Sequence, residues 1–183
     1  MAQQRSPADS LIPTDLLLLA LGAPPFEGEL NGITRLQKLL YLSEQETPIM
    51  GDVVGGFDFV AYNYGPFSKQ IHEGVDLLER LGLVRETRVF QPTSYDEMEE
   101  YAVAAEPAEP EGTERRFHLS EKGTVVANIL AQKHPRAFAQ VAQIKQRYGR
   151  MPLRQLLQYV YATYPPSAEN SVIKGQVLGQ PRP

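Results

Sequence analysis

Apolar residues recur every three or four positions over most of this chain, which is the spacing of amphipathic helices. Gly and Pro separate the periodic stretches, and shorter aromatic or β-branched stretches between them indicate strands. The pattern predicts helices at residues 14–21, 33–44, 66–81, 120–133, 136–148 and 152–164. It predicts strands at residues 57–62, 84–90 and 115–119, the last two paired with each other.

Several polar residues and prolines stand where helices are expected to begin or end. Thr14 or Asp15 is the predicted N-cap of the first helix, Asn31 of the second and Ser120 of the fourth. At the third helix, Pro66 fits the first turn and Ser68 is expected to accept a hydrogen bond from an unpaired N–H. These signals support the helix boundaries drawn from periodicity.

The predicted fold class is mainly α with a small β-sheet, namely a winged helix-turn-helix with additional N- and C-terminal helices. We expect a disordered tail at residues 1–8, a winged-helix domain at 9–133 and a C-terminal helical extension at 134–174, before a second disordered tail at 175–183. In the second helix, Arg35 and Lys38 are expected outside the buried apolar stripe.

Charge is distributed unevenly along the chain. The formal net charge is −4, but eight acids lie between Asp96 and Glu114 with no Lys or Arg among them. The rest of the chain carries 18 bases against 14 acids, so the overall charge hides a basic remainder. Two interpretations stay open: an acidic solvated loop at residues 92–114 beside ordinary basic helices, or a functional basic face.

Enzyme signals are weak in this sequence. It has no GxxxxGK[ST], GxGxxG or HExxH motif and no cysteine, and His72, His118 and His134 are scattered. Glu121-Lys122 lacks the acidic strand that a nuclease site needs. We therefore expect no catalytic residues, no cofactor and no metal. The longest apolar run is too short to cross a membrane, so we expect a cytoplasmic protein without a membrane partner.

A helix followed by Leu-Gly-Leu, two strands and Leu-Ser-Glu-Lys-Gly is typical of a winged helix. In such folds the helix before the turn enters the DNA major groove and the strand pair contacts phosphates. The residues predicted to bind double-stranded DNA are Lys69, Gln70, His72, Arg85, Arg88, Arg115, Arg116 and Lys122.

Other features oppose this interpretation or allow a second one. Glu73 and Asp76 would face phosphate repulsion on the outer side of the same helix. A second basic set is either a solvated helix junction or a binding face; it consists of Lys145, Arg147, Arg150 and Arg154. Three tyrosines near the end favour packing or oligomer contacts over base stacking; they are Tyr159, Tyr161 and Tyr164.

Four motifs together resemble one family. They are Arg35-Leu36-Gln37-Lys38-Leu39-Leu40-Tyr41-Leu42, Tyr62-Asn63-Tyr64-Gly65-Pro66-Phe67-Ser68, Leu81-Gly82-Leu83-Val84 and Leu119-Ser120-Glu121-Lys122-Gly123. In order and spacing they are similar to YwgA-type winged-helix proteins, which are related in pattern to Panacea (SocA-like) antitoxin domains. The resemblance covers roughly residues 16–130, and residues 152–174 also resemble the end of such proteins.

The resemblance implies a winged-helix fold without a catalytic role, and protein binding as in toxin neutralisation or adaptor function. The long acidic insertion departs from a compact wing. The leading hypothesis is a DNA-binding regulator that forms a homodimer. The alternative is an antitoxin- or adaptor-like module that binds a protein such as a toxin. The acidic loop is expected to be autoinhibitory, so that deletion of residues 94–112 raises nucleic-acid affinity.

Overall fold

A computed structural model describes residues 10–25, 28–90 and 113–179. Its helices and strands are, in chain order, α1 (Pro13–Gly22), β1 (Glu29–Asn31), α2 (Ile33–Glu46), a 3-10 turn (Pro48–Gly51), β2 (Val60–Tyr62), β3 (Gly65–Phe67), α3 (Lys69–Arg80), β4 (Val84–Phe90), β5 (Thr113–Leu119), α4 (Glu121–Lys133), α5 (Pro135–Tyr148), α6 (Leu153–Thr163), a 3-10 turn (Pro165–Ala168) and α7 (Lys174–Val177). The described part of the chain is therefore mainly helical with a small antiparallel sheet, as predicted.

The sheet has the strand order β1-β5-β4, and β2 and β3 form a separate two-stranded hairpin. Leu30 of β1 lies opposite Phe117 of β5, and Phe117 lies opposite Glu86 of β4. Because side chains alternate between the two faces of a strand, Leu30, Phe117 and Val84 point into the core, where all three are buried. Arg85, His118 and their neighbours two residues away point outward.

Helix α1 lies at the centre of the molecule. Every residue from Leu16 to Leu21 is buried, and α1 packs against α2, α3, α4 and α5. A helix that is apolar all round needs cover on all sides, which these neighbours supply. The other helices therefore pack around this buried run of leucines. Because they cover it on all sides, the stretch has no polar face.

Some predicted helix ends are wrong. The N-cap of α1 is Ile12, and the predicted cap Asp15 instead accepts the Ile12 N–H through Oδ2 at 2.9 Å. Gly32, not Asn31, stands at the N-cap of α2, with no side-chain cap bond. By contrast, Ser120 Oγ accepts the Gly123 N–H at 2.9 Å, so the predicted cap of α4 is confirmed. Only the last of these polar residues takes its predicted geometry.

The segment before α3 differs most from the prediction. Pro66 belongs to β3 instead of the first turn of a helix, and the predicted strand at 57–62 is limited to Val60–Tyr62. Ser68 is the N-cap residue of α3, but its buried hydroxyl has no hydrogen-bond partner among the described residues. A tight β-hairpin precedes α3 where the sequence predicted one strand and then the first turn of a helix.

The C-terminal helices are fastened to α2 through a cluster around Glu46. Glu46 Oε1 accepts the hydroxyl protons of Tyr148 at 3.0 Å, Tyr159 at 2.7 Å and Tyr164 at 3.4 Å. Arg147 Nη1 lies 3.6 Å from Glu46 Oε2. Burial, and after it the Glu46 charge, raises the pKa of Tyr164 to about 12, so the hydroxyl remains a donor at neutral pH. Two of the three tyrosines expected to serve in packing, Tyr159 and Tyr164, thus also share one carboxylate.

The end of the described chain also differs from the prediction. The second disordered tail was expected to begin at residue 175, but α7 spans Lys174–Val177. Val177 is buried and belongs to the core, which gives this short helix an anchor. The other expected tail, residues 1–8, and residues 92–112 of the acidic loop lie outside the described residues. No helix in the described ranges is long and apolar enough to cross a membrane.

Candidate functional site

Each of the three predicted DNA-binding residues on α3 interacts with another side chain. Lys69 is exposed, but its Nζ lies 2.8 Å from Glu73 Oε1 one turn later. Gln70 Nε2 donates to Asp58 Oδ2 at 2.7 Å. The His72 ring lies 5.4 Å from the Phe67 ring between centroids. The start of α3 therefore offers a phosphate group little uncompensated positive charge.

The outward face of α3 is acidic and apolar. Glu73, Asp76 and Glu79 are exposed, and Leu77 and Leu81 are partly exposed at i, i+4 spacing. A helix that enters the DNA major groove needs donors for phosphates and base edges along this face. Carboxylates and leucines do not provide them, and the exposed Arg80 donates from Nε to Asp76 O at 3.2 Å.

Arg115 is buried instead of reaching toward DNA. Its Nη2 lies 2.6 Å from Glu86 Oε2, and Arg88 Nε donates to the other Glu86 oxygen at 2.9 Å. Burial alone would raise the pKa of Glu86, but its hydrogen bonds with Arg115 and Arg88 lower it. Strand alternation turns Arg115 toward Phe117, whose ring centroid lies 5.3 Å from its guanidinium, and not to the outward side of the sheet.

A groove on the outward face of the sheet collects other predicted residues. It measures about 690 Å³ and lies between the β4–β5 ribbon and the start of α4. Arg85, Thr87, His118 and Lys122 line it, together with Glu121. Arg116 lies opposite Thr87 and so points to the same side of the sheet. The four basic side chains on this side are therefore Arg85, Arg116, His118 and Lys122. Pairing of β4 with β5 brings the first to the other three, which are close to one another in sequence.

The second basic set is largely structural. Lys145 is buried, and its Nζ donates to Leu21 O at 3.2 Å and Ala23 O at 2.8 Å. These carbonyls end α1, where a cation satisfies unpaired acceptors and suits the helix dipole. Arg154 Nη2 donates to Gln176 O at 3.4 Å. Neither prediction for this set, a solvated junction or a binding face, describes Lys145.

Arg35 fixes the junction between α5 and α6. Its Nη1 donates to Gly149 O at 3.2 Å and to Met151 O at 2.6 Å. A pocket of about 540 Å³ lies beside this contact, between β1, the start of α2 and the end of α5. Arg35, Lys145 and Arg150 line it together with Glu29 and Asn31. The pocket is therefore mixed in charge and built around contacts that hold the helices together.

Two polar residues of α2 form hydrogen bonds with the backbone of β3 and of Ser68, which follows it. Gln37 Nε2 donates to Ser68 O at 2.9 Å, and Gln37 Oε1 accepts the Ser68 N–H at the same distance. Lys38, predicted to lie outside the buried stripe, is itself buried and donates from Nζ to Pro66 O at 3.0 Å. Lys38 is buried because α2 is enclosed on almost every side, so its ammonium group must bond to backbone.

The C-terminal segment holds the same hairpin from its other side. Val172 N donates to Asn63 O at 3.0 Å, and Asn170 Nδ2 donates to Ala61 O at 3.1 Å. Gly65, at φ +85°, sits so close to the Tyr161 ring that a Cβ there would lie 2.5 Å from Cε1. The resemblance motifs of α2 and of Tyr62 to Ser68, and the C-terminal segment, thus meet at one hairpin.

The outer face of this hairpin is apolar and exposed. Val60 is 56% exposed, Tyr62 is 45% exposed and the neighbouring Val172 is 68% exposed. Val60 lies opposite Phe67 in the ladder, and the rings of Tyr62 and Phe67 are 5.1 Å apart between centroids. We call Val60, Tyr62, Phe67 and Val172 the hairpin patch. It lies directly before the first turn of α3.

Sequence reasoning missed Gln37 and Lys38 as positioning residues. Both look like ordinary polar positions of an amphipathic helix, and the carbonyls they bind belong to Ser68 and Pro66, some 30 residues away. One signal was available: the two residues lie inside the longest of the resemblance motifs. The hairpin patch itself was missed because Val60 and Tyr62 were assigned to a short strand, whereas Pro66 was assigned to the first turn of the next helix.

Comparison of the chain with models of protein families, with curated proteins and with solved structures gives no significant match. Within the described ranges, no group of His, Asp or Glu side chains is arranged to hold a metal ion. Fold and site together define a mainly helical protein with a small antiparallel sheet, a firmly held hairpin with an apolar face, and a mildly basic groove.

Proposed function

We propose that this chain is a non-enzymatic winged-helix protein that binds another protein, in the manner of an antitoxin or adaptor. The order of elements supports the winged-helix part. Strand β1 lies between α1 and α2, and β4 and β5 follow α3 and complete a three-stranded sheet with β1. This is the chain order expected for that fold, with the β4–β5 ribbon as the wing. The β2–β3 hairpin is then an addition between α2 and α3.

The hairpin patch is the observation that carries the proposal. An exposed apolar surface on a firmly supported element is typical of a protein-binding site, because little conformational entropy is lost on binding. The hairpin is supported by buried bonds from Gln37 and Lys38 and by the segment around Val172, although its outer side chains touch solvent. Such an arrangement stabilises a docking surface more than it stabilises the fold.

The acidic and apolar outward face of α3 gives further support. It extends from the hairpin patch, and its exposed cations are engaged within the helix, Lys69 with Glu73 and Arg80 with the Asp76 carbonyl. A protein partner can use the leucines and the carboxylates of this face together, whereas DNA would be repelled by the latter. The proposed binding region therefore begins at the hairpin and continues along α3.

Replacement of Val60 and Tyr62 by serine should abolish capture of the protein partner. Both side chains are exposed, so the expected loss of affinity is at least about tenfold while the fold is retained. The measurement is quantitative affinity purification from the native host with wild type and variant as baits. Val54→Ser is the matched control, because Val54 is equally exposed but its N–H bonds to Leu11 O instead of to the hairpin.

A partner that binds wild type and Val54→Ser in a stoichiometric amount, but not the double variant, would support the proposal. If no protein is recovered in a way that depends on Val60 and Tyr62, the proposed function is wrong. Thermal unfolding of all three proteins serves to show that the serine variants are folded.

The groove on the sheet favours a second candidate function, the DNA-binding regulator. Arg85, Arg116 and Lys122 lie on one side of the sheet, with His118 between them. Their spacing along an open groove suits contacts to successive phosphates, with the start of α4 beside them. In this candidate function the protein contacts the phosphates of the DNA backbone and not the base edges, because the outer face of α3 carries more acids than bases.

For this candidate, Arg85→Gln should weaken binding to a duplex of arbitrary sequence and lower its salt dependence. Each phosphate contact contributes about 0.9 to the slope of log affinity against log salt, so the slope should fall by about that amount. Fluorescence anisotropy with a labelled duplex measures it. Arg136→Gln on α5 is the control and should leave the slope unchanged, because Arg136 is exposed and does not line the groove. Absence of any duplex binding at low salt would exclude this candidate.

A further inference from the structure

The pocket between β1, the start of α2 and the end of α5 has the size and lining of a small-molecule site. Its volume of about 540 Å³ lies within the range of about 300–1,000 Å³ that is typical of such sites. Five charged or polar side chains line its described part: Glu29, Asn31, Arg35, Lys145 and Arg150. None of the five lines the groove on the sheet or belongs to the hairpin patch. We call this cavity the α2–α5 pocket.

The charged side chains of the α2–α5 pocket favour an anion. Three of them are positive and one, Glu29, is negative, which leaves a formal excess of two positive charges in the described lining. Arg35 Nη1 donates to Met151 O and Lys145 Nζ donates to Ala23 O. These carbonyls are neutral, so the two bonds fix the cations in position without cancelling their charge. In a cleft with walls of low dielectric constant, such charges attract a counter-ion.

The start of α2 adds to the positive potential of the same pocket. Gly32, the N-cap residue, has no side chain that could bond to the first turn, and that turn contains no acid. It does contain Arg35, which lines the pocket. The N-terminal end of a helix carries a partial positive charge. The helix therefore favours an anion at the place where the arginine already does so.

Strand β1 supplies hydrogen-bond acceptors to the α2–α5 pocket. Leu30 is buried, and side chains alternate along a strand, so Glu29 and Asn31 both project from its other face. Asn31 Oδ1 is buried and has no hydrogen-bond partner among the described residues. A buried polar atom of this kind is uncommon in a native protein, and a ligand hydroxyl can supply the donor that it needs. The partly exposed Glu29 carboxylate is a second acceptor.

We propose that the α2–α5 pocket binds a small molecule with one phosphate group and several hydroxyl groups, such as a sugar phosphate. A phosphate monoester carries a charge of about −1.5 to −2 at neutral pH, which matches the excess of two positive charges. Arg35, Lys145 and Arg150 bind the phosphate. The hydroxyl groups donate to Asn31 Oδ1 and to Glu29. A carboxylate or a phosphodiester has a single negative charge and matches the pocket less well.

The experiment is isothermal titration calorimetry of the full chain with ribose 5-phosphate. A dissociation constant of about 100 µM is expected for a ligand of this size. Inorganic phosphate and unphosphorylated ribose are the comparison ligands, and each should bind at least about tenfold more weakly. The reason is that phosphate alone cannot reach both parts of the pocket, whereas ribose alone lacks the charge that the cations favour.

Two variants separate the phosphate end of the pocket from the hydroxyl end. Arg150→Gln should weaken both ribose 5-phosphate and inorganic phosphate about tenfold, because a charge-assisted hydrogen bond is lost. Asn31→Ala should weaken ribose 5-phosphate about tenfold and leave inorganic phosphate unchanged. Arg85→Gln is the matched control, because Arg85 lines the groove and not this pocket. Thermal unfolding shows that each variant is folded. Arg35 and Lys145 are left intact, since their carbonyl bonds hold the helices together.

The proposal is overturned if ribose 5-phosphate does not bind at about 10 mM, a hundredfold above the expected constant. It is also overturned if Arg150→Gln or Asn31→Ala binds as tightly as the wild type. Equal affinity for ribose 5-phosphate and inorganic phosphate would mean an adventitious ion only. A loss of affinity in Arg85→Gln would place the ligand in the groove instead. None of these results bears on capture of a protein partner by the hairpin patch, which is measured with other substitutions.

Discussion

Replacement of Gly123 by alanine is expected to lower the free energy of unfolding by about 2 kcal/mol or more. A Cβ at this position would fall inside the van der Waals radius of the Leu83 carbonyl oxygen and close to the Leu83 carbonyl carbon. That oxygen accepts the Ser120 N–H at 2.9 Å, so it can move aside only by breaking the bond that joins the sheet to α4. The clash therefore reaches the backbone itself.

The intrinsic helix propensity works in the opposite direction but is too small to compensate. Alanine is favoured over glycine in a helix by about 1 kcal/mol, whereas overpacking against backbone costs about 1–3 kcal/mol and occasionally more. Urea denaturation followed by circular dichroism measures the difference. Gly51→Ala is the matched control, because nothing lies within 4 Å of a Cβ there, and its effect should stay within about 0.5 kcal/mol. Equal stability of the Gly123→Ala and wild-type proteins would contradict the close approach of α4 to Leu83.

Replacement of Glu46 by alanine is expected to cost about 3 kcal/mol of stability. Its carboxylate is shared by the hydroxyls of Tyr148, Tyr159 and Tyr164, and these would lose their acceptor inside the protein. Each unsatisfied buried polar group costs about 1–3 kcal/mol, and relaxation of the cluster with water offsets part of the sum. The loss should appear first as loosening of α5 and α6 from α2.

Glu46→Gln is the matched control, because its amide oxygen still accepts from tyrosine, and it should lose less stability than alanine. Ultraviolet titration of tyrosine gives a second measurement. Burial and the Glu46 charge raise the pKa of Tyr164 to about 12, so this stabilising contact is complete below pH 10 and is lost as the pH rises toward 12. In Glu46→Ala the ionisation of Tyr164 should begin at lower pH. An unchanged titration curve would mean that Glu46 does not govern the cluster.

The sequence was sufficient for most of the helices and for the β4–β5 pair. Leu153, Leu156, Leu157 and Val160 show helical spacing, and all are buried on one side of α6. Such local patterns are readable where a helix has one apolar face. The β2–β3 hairpin was not readable, because its strands are three residues long and Gly65-Pro66 also suits the start of a helix.

The candidate site depended on contacts that a single sequence does not display. Arg115 and Arg116 are neighbours in sequence, yet strand alternation buries the first against Glu86 and leaves the second on the outward side. Lys38 and Lys145 looked solvated, because nothing local indicates that distant carbonyls will bind them. Charge counts along the chain therefore overestimated the basic surface available to DNA.

The pairing of β1 with β5 has a consequence for how the chain acquires its structure. Leu30 near the start of the chain lies opposite Phe117 well beyond its middle, and β4 also pairs with β5. During synthesis the sheet can form only after β5 has emerged from the ribosome. Until then the apolar residues of α1 are not fully buried. Pairing between distant segments slows folding and prolongs exposure of apolar surface. The interval between synthesis of α1 and of β5 is therefore when this chain most needs a chaperone.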